Sequence, residues 1–198
     1  MLLAATVVAA SCSGGSGDDR SMGAGPTTSD LLVESSTDSA VPASHPRGPV
    51  ADCSSRSWAD FTGAFSDPAN LTIGPLVLVG AGALTPAAVV ESIGGNKFPL
   101  LVRQGHVVTV RVPANAQRYA ALGYGPLPQG EIGVRDGHAT VTFVACTAEE
   151  PSGSIADGPA TFWSGFVLAR RPACVPLDVY VDDEPAPRRA EIELGRPC

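Results

Sequence analysis

Between Leu71 and Leu194 apolar residues recur at every second position or in short β-branched runs closed by Gly, Pro, Asn or Asp. Nowhere does this stretch carry the long amphipathic stripe of a helix. Such a pattern restricts the fold to layers of short strands. Alternate side chains of a strand face opposite sides of a sheet, so each run buries one face and needs a second apolar face to cover it. A doubly wound parallel sheet is excluded, because its crossovers require helices between the strands. The expected fold is all-β, an antiparallel β-sandwich of about eight short strands with one short helix, immunoglobulin-like in architecture. A barrel is the alternative.

The elements can be placed along the chain. Residues 71–79 form the first strand region, bent at Gly74-Pro75. Residues 98–103 and 106–112 flank Gln104-Gly105 and read as a hairpin, with Val108, Val110 and Val112 toward the core. Residues 131–135 form a short strand that pairs through the Asp136-Gly137 turn with residues 138–145. Residues 161–169 read as one strand, with Trp163 in the core. Residues 175–181 and 189–194 close the set around a turn at Asp182-Asp183-Glu184-Pro185. Residues 118–122 read either as one helical turn or as a strand leading to Tyr124. The helix covers residues 85–92, with Thr85 as its cap, Pro86 at its first position and Gly94-Gly95 as its stop. Residues 57–65 read as a short turn of helix.

Five cysteines punctuate the chain, at 12, 53, 146, 174 and 198. An odd number in an exported protein leaves one for another role, and four make two disulfides. Of the three pairings, Cys53–Cys198 and Cys146–Cys174 are favoured. Cys53 and Cys198 bracket the β-rich region, and the ends of a domain often lie close together. The order Cys146, Trp163, Cys174 resembles an immunoglobulin core in kind, at about half the usual spacing between the cysteines. No pair has the spacing of a metal site, and none of the three histidines adjoins a cysteine.

The first 52 residues differ in kind from the rest. Residues 2–10 are apolar and uncharged, too short to span a bilayer, which takes about 20 residues. They match the apolar centre of a secretory leader without its basic start. Residues 12–52 are rich in Gly, Ser and Pro, contain no aromatic residue, and hold six acids against two bases. A stretch of that composition buries too little surface to offset its backbone entropy. It reads as a disordered acidic tether spanning on the order of 35 Å. The organisation expected is a truncated-looking leader at 1–11, the tether at 12–52, and a disulfide-stabilised β-sandwich at 53–198.

Ala9-Ala10-Ser11-Cys12 resembles a bacterial lipobox, in which small residues precede a lipidated cysteine. With the Ala/Gly/Pro/Val/Arg bias and the single lysine, Lys97, the chain resembles the small lipoproteins and secreted proteins of high-GC actinobacteria. The resemblance implies a diacylglycerol on the Cys12 sulfur and an extracytoplasmic domain held at the cell membrane. A secreted protein without lipid is the alternative. The resemblance rests on the first 50 residues and on composition, and implies nothing about the chemistry of the domain.

The β-rich region carries no strong catalytic pattern. His45 lies in the tether. His106 and His138 each open a strand after a glycine, which would place both at one end of the sandwich. There is no G-x-S-x-G elbow. Glu191 and Glu193 share the solvated face of the last strand. Asp182-Asp183-Glu184 lacks the spacing of a calcium loop. Gly80-Ala81-Gly82 does not complete a nucleotide fingerprint. No catalytic residue, metal ligand or cofactor is expected. The net charge of −7 argues against nucleic acid as a partner. The candidate binding residues are Tyr119 and Tyr124, around a Gly/Pro-rich loop at 123–130, and the basic pair Arg170 and Arg171. The expected function is a membrane-anchored extracytoplasmic domain that binds an envelope protein or cell-wall component without catalysis. The alternatives are an exported hydrolase with a site built from turn residues, and an assembly factor of an envelope complex.

Overall fold

A computed structural model describes residues 41–125, 127, 128, 130, 132–150 and 154–198. The first seven strands are β1 (Val50–Ala51), β2 (Ala59–Asp60), β3 (Leu71–Ile73), β4 (Leu76–Leu78), β5 (Gly95–Lys97), β6 (Leu100–Arg103) and β7 (Val107–Arg111). Then come β8 (Ala120–Gly123), β9 (Thr140–Val144), β10 (Ser154–Ala156), β11 (Gly158–Trp163), β12 (Phe166–Ala169), β13 (Ala173–Val181) and β14 (Arg188–Leu194). The helix is α1 (Ala87–Ile93), and a 3-10 turn covers Cys53–Ser55. The fold is all-β and sandwich-like, with no closed barrel among the described residues.

Among the described residues three sheets carry it. The strand orders are β1-β9-β7-β13-β14, β2-β10-β11-β6-β4-β3, and β5-β12-β8. Most pairs are antiparallel, but β1 lies parallel to β9 and β2 parallel to β10. One core joins the three sheets. Val108, Val110, Phe143, Leu177 and Val179 come from the first, Leu76, Leu100 and Val102 from the second, and Leu122 and Val167 from the third. Period-two alternation explains the sheet containing β7, where Val108, Val110 and Val112 all face inward as expected. The second sheet is apolar on both faces, because Val77, Leu101 and Phe162 pack under Phe61, Ala64 and Phe65 in a smaller second core. That is why β4 and most of β6 read as continuous apolar runs.

The β13–β14 hairpin forms as the sequence indicates, with Asp182 at a φ of 46° in its turn. The bend at Gly74-Pro75 is sharper than expected. It is a two-residue hairpin turn in which Ile73 pairs with Leu76 and Gly74 has a φ of 60°. Residues 120–123 form a strand. The helix begins one residue later than Thr85 as cap would give. Pro86 takes the cap position, and the Thr85 hydroxyl instead accepts a 3.1 Å bond from Asn96. Gly94 ends the helix in the left-handed region, as expected.

Four expectations fail, the first two because strands adjacent in sequence are dealt to different sheets. Residues 98–112 are not a hairpin. Both edges of β6 are occupied, by β11 and β4, so the chain crosses at Gln104-Gly105 and β7 pairs with β9 and β13. Residues 161–169 are two strands rather than one. The break falls at Ser164-Gly165, where the ring of Tyr124 fills the place a β-carbon of residue 165 would take, 2.1 Å from its nearest atom. Residues 132–135 form no strand and instead lead into a turn at 134–136, in which the Gly133 N–H donates to Asp136. Residues 57–65 contain no helix; they hold β2 and the lid over the second core.

The fold also begins earlier than residue 53. The segment 41–52 runs against the outer face of the first sheet and ends in β1. His45 is buried there, with Nδ1 2.8 Å from the Thr109 hydroxyl, which in turn lies 2.7 Å from the Thr142 hydroxyl. Thr109 and Thr142 point away from the core and are nonetheless buried. The strap covering them is the physical reason that part of the expected tether belongs to the domain. The leader, Cys12 and the rest of the tether lie outside the described residues.

The four remaining cysteines pair, but with exchanged partners. The bridges are Cys53–Cys146 and Cys174–Cys198, with Cα separations of 4.9 and 5.0 Å. Parallel pairing of β1 with β9 carries the residues following both strands to the same edge, which joins Cys53 to Cys146. Cys174 sits opposite Glu193 in the last hairpin, and the turn at Gly195 brings Cys198 back to it. The favoured Cys146–Cys174 pair is impossible in this topology. Val144 lies opposite Val107 at one end of β7, and Asp178 opposite Arg111 at the other, with Cys174 further out still. Trp163 is a core residue without an immunoglobulin bridge. Its ring packs 5.2 Å from that of Phe143, and its N–H donates to the Asp52 carbonyl at 3.1 Å.

Candidate functional site

The β12–β8 ladder positions the site. Ala169 pairs with Ala120, and the next N–H, of Arg170, donates to the Tyr119 carbonyl at 3.0 Å. Tyr119 is thereby fixed beside the chain that leads from β12 into β13. Its hydroxyl donates to the Cys174 carbonyl at 3.2 Å, so the phenol forms a wall rather than a free donor. Arg118 lies over the same ring, 5.5 Å from its centre, and donates to the Asn115 carbonyl at 2.7 Å.

Residues 170–172 form a bend between β12 and β13, and there Arg170 and Arg171 part company. Arg171 opens into a cavity of about 390 Å³ shared with Arg118, Tyr119, Glu191 and Arg196. Arg170 lines a separate cavity with Arg135 and Asp136. The two arginines of the expected pair therefore do not act on one ligand.

Arg196 reaches the cavity from the tail beyond β14. Three links hold that tail. The Gly195 N–H donates to the Thr85 carbonyl, the Cys198 N–H donates to Glu193, and Cys198 bridges to Cys174. Gly195 has a φ of 70°, and a β-carbon there would lie 2.9 Å from Ala87 Cα, so only glycine suits this turn. Among the described residues neither Arg171 nor Arg196 has a side-chain hydrogen bond or an ion pair. Arg111, by contrast, is spent on Asp178 at 2.7 Å, and Arg188 on Glu184.

Tyr124 is not at the site. It is fully buried, its hydroxyl donates to the Phe98 carbonyl at 2.7 Å, and its ring meets Phe143 edge-on. Burial pushes its phenol far above the usual range, so it stays protonated. The histidines do not converge. His106 precedes β7 and His138 precedes β9, and because these strands are antiparallel the two lie at opposite ends. His106 pairs with Asp182 at 2.7 Å. Each bridge has a glutamate near its sulfurs, Glu150 and Glu191 respectively. Disulfide sulfurs are not thiolates, so these clusters lack the metal-binding form of cysteine. Glu191 is exposed while Ile192 and Leu194 are buried, in keeping with the expected solvated face.

Arg118 and Arg196 escaped the sequence reading because neither belongs to a basic pair. The available signal was the tail Gly195-Arg196-Pro197-Cys198, a glycine turn and a cysteine on either side of a lone arginine. The chain matches no known family model, no curated protein and no solved structure. No helix of the described residues is long and apolar enough to cross a membrane.

Proposed function

We propose that this protein is a lipid-anchored extracytoplasmic binding domain, without catalytic activity, whose recognition site is the cavity walled by Tyr119 and the arginines 118, 171 and 196. One observation carries the reading. Three guanidinium groups from three separate segments line a single cavity beside an aromatic ring, and two of them have no protein partner among the described residues. Arginine and tyrosine are the residues most enriched where proteins recognise partners. The anchor would be Cys12, and the ligand a component of the envelope.

Site-directed photocrosslinking in an actinobacterial host tests the site. A photoreactive phenylalanine replaces Tyr119 in one strain and Ile93, an exposed residue of α1, in another. Adducts from position 119 that are absent from position 93 and vanish on Arg171→Gln support the reading. No adduct from 119, or the same adducts from both positions, refutes it. Detergent partitioning beside a Cys12→Ala variant tests the anchor separately.

A further inference from the structure

We propose that the cavity between Arg118, Tyr119, Arg171 and Arg196 is an oxyanion site for a small ligand bearing a doubly charged phosphoryl group. This inference rests on the reading of that cavity as the recognition site and supplies its ligand class.

Charge sets the first condition. Three arginines face one carboxylate, that of Glu191, within the same lining. The Glu191 carboxylate lies within 4.8 Å of the Cys174 and Cys198 sulfurs, on the disulfide side of the cavity. Within the lining two positive charges are left over, with Glu193 outside it on the Cys198 N–H, and a dianion matches that excess. Residue type sets the second condition. All three cations are arginine, whose planar fork matches the oxygens of phosphate in paired hydrogen bonds and keeps its charge at every physiological pH.

Size sets the third. At about 390 Å³ the cavity falls at the lower end of small-molecule sites, larger than a phosphoryl group alone. The Tyr119 ring, its hydroxyl already engaged by the Cys174 carbonyl, offers a surface for the body of the ligand.

One guanidinium, and the backbone that carries a second, are held before any ligand arrives. Arg118 is fixed by the Asn115 carbonyl and the Tyr119 ring, and Arg196 rides on a tail tied down at Gly195 and Cys198. Groups ordered in advance lose less freedom on binding. The long-range field opposes an anion, since the chain is acidic overall. Affinity therefore comes from these short contacts, and it weakens with added salt.

The phosphoryl group can belong to a free phosphomonoester or to a lipid headgroup, and the test separates them. The full chain, carrying Cys12→Ala so that no acyl anchor floats it, is titrated in phosphate-free, low-salt buffer with inorganic phosphate and with glycerol phosphate, and is separately floated with vesicles with and without phosphatidic acid. Amide shifts clustered at residues 118–119, 171–174 and 195–198 are expected. Arg171→Gln and Arg196→Gln should each weaken binding by about tenfold or more, the loss of one charge-assisted contact. Arg135→Gln, in the neighbouring cavity, should leave it unchanged. Vesicle binding that needs phosphatidic acid and is displaced by glycerol phosphate identifies a lipid headgroup. Soluble binding alone identifies a free ester.

Absence of binding to any of these probes overturns the proposal, as does binding equally strong in all three variants. If crosslinks from position 119 persist while no phosphoryl probe binds, the recognition site stands and the ligand class falls. If both fail, both readings fall together.

Discussion

Removing the Cys53–Cys146 bridge should cost more stability than removing Cys174–Cys198, although both bridges close on neighbouring strands. The first spans 93 residues and the second 24. In the chain-entropy account a cross-link stabilises by restricting the unfolded chain, and its effect grows with the logarithm of the loop. These spans give about 4.6 kcal/mol for the long loop and about 3.4 kcal/mol for the short one. The difference, about 1.2 kcal/mol, is what the experiment must resolve.

The perturbations are paired alanine variants, C53A/C146A and C174A/C198A, unfolded in urea beside the parent under non-reducing conditions. For a domain of this size each kcal/mol moves Tm by about 2–4 °C, so the long-loop variant should melt about 9–18 °C lower than the parent. Burial adds to the asymmetry, since Cys53 and Cys146 are buried whereas Cys198 is exposed. The long bridge also secures the strap that caps Thr109 and Thr142. Amides of residues 45–55 should therefore lose exchange protection in C53A/C146A and keep it in C174A/C198A. The reverse order of stability would refute the reasoning, and so would peptides showing Cys53 linked to Cys198.

Two further predictions concern single positions. Gly165→Ala drives a methyl group into the Tyr124 ring, which is fully buried and hydrogen-bonded to Phe98. The cost should be about 1–3 kcal/mol by urea unfolding, and an unchanged midpoint would show that the ring can give way. Glu184 titrates below the ordinary carboxyl range because Arg188 hydrogen-bonds its charged form. A carboxyl depressed in the folded state contributes stability above its unfolded pKa and loses it as pH falls through the folded value. Glu184→Gln should thus lower Tm at neutral pH and converge with the parent in acid. A gap that widened in acid would contradict this assignment.

What was legible in the sequence was whatever depends on neighbours along the chain. Alternation placed Val108, Val110 and Val112 inward and Glu191 and Glu193 outward. Turn chemistry found the hairpin at 182–185 and the helix stop at Gly94. Tyr119 and Arg171 were legible as candidates, and they share the cavity. Their partners Arg118 and Arg196 were not, because nothing local to a lone arginine says which distant segment it will face.

Two determinations remain with the amino-acid sequence itself. Period-two apolar runs without helical stripes dictate an all-β fold, since only sheets stacked face to face can bury such a pattern. An even set of cysteines beyond Cys12 permits two bridges. The tertiary structure alone decided which strands share a sheet, and the rest followed from that choice. Parallel β1 and β9 bring Cys53 to Cys146, and antiparallel β7 and β9 separate His106 from His138. The bend between β12 and β13 sends Arg170 and Arg171 into different cavities. Sheet partnership is settled by contacts between residues tens of positions apart, and periodicity within one strand holds no record of them.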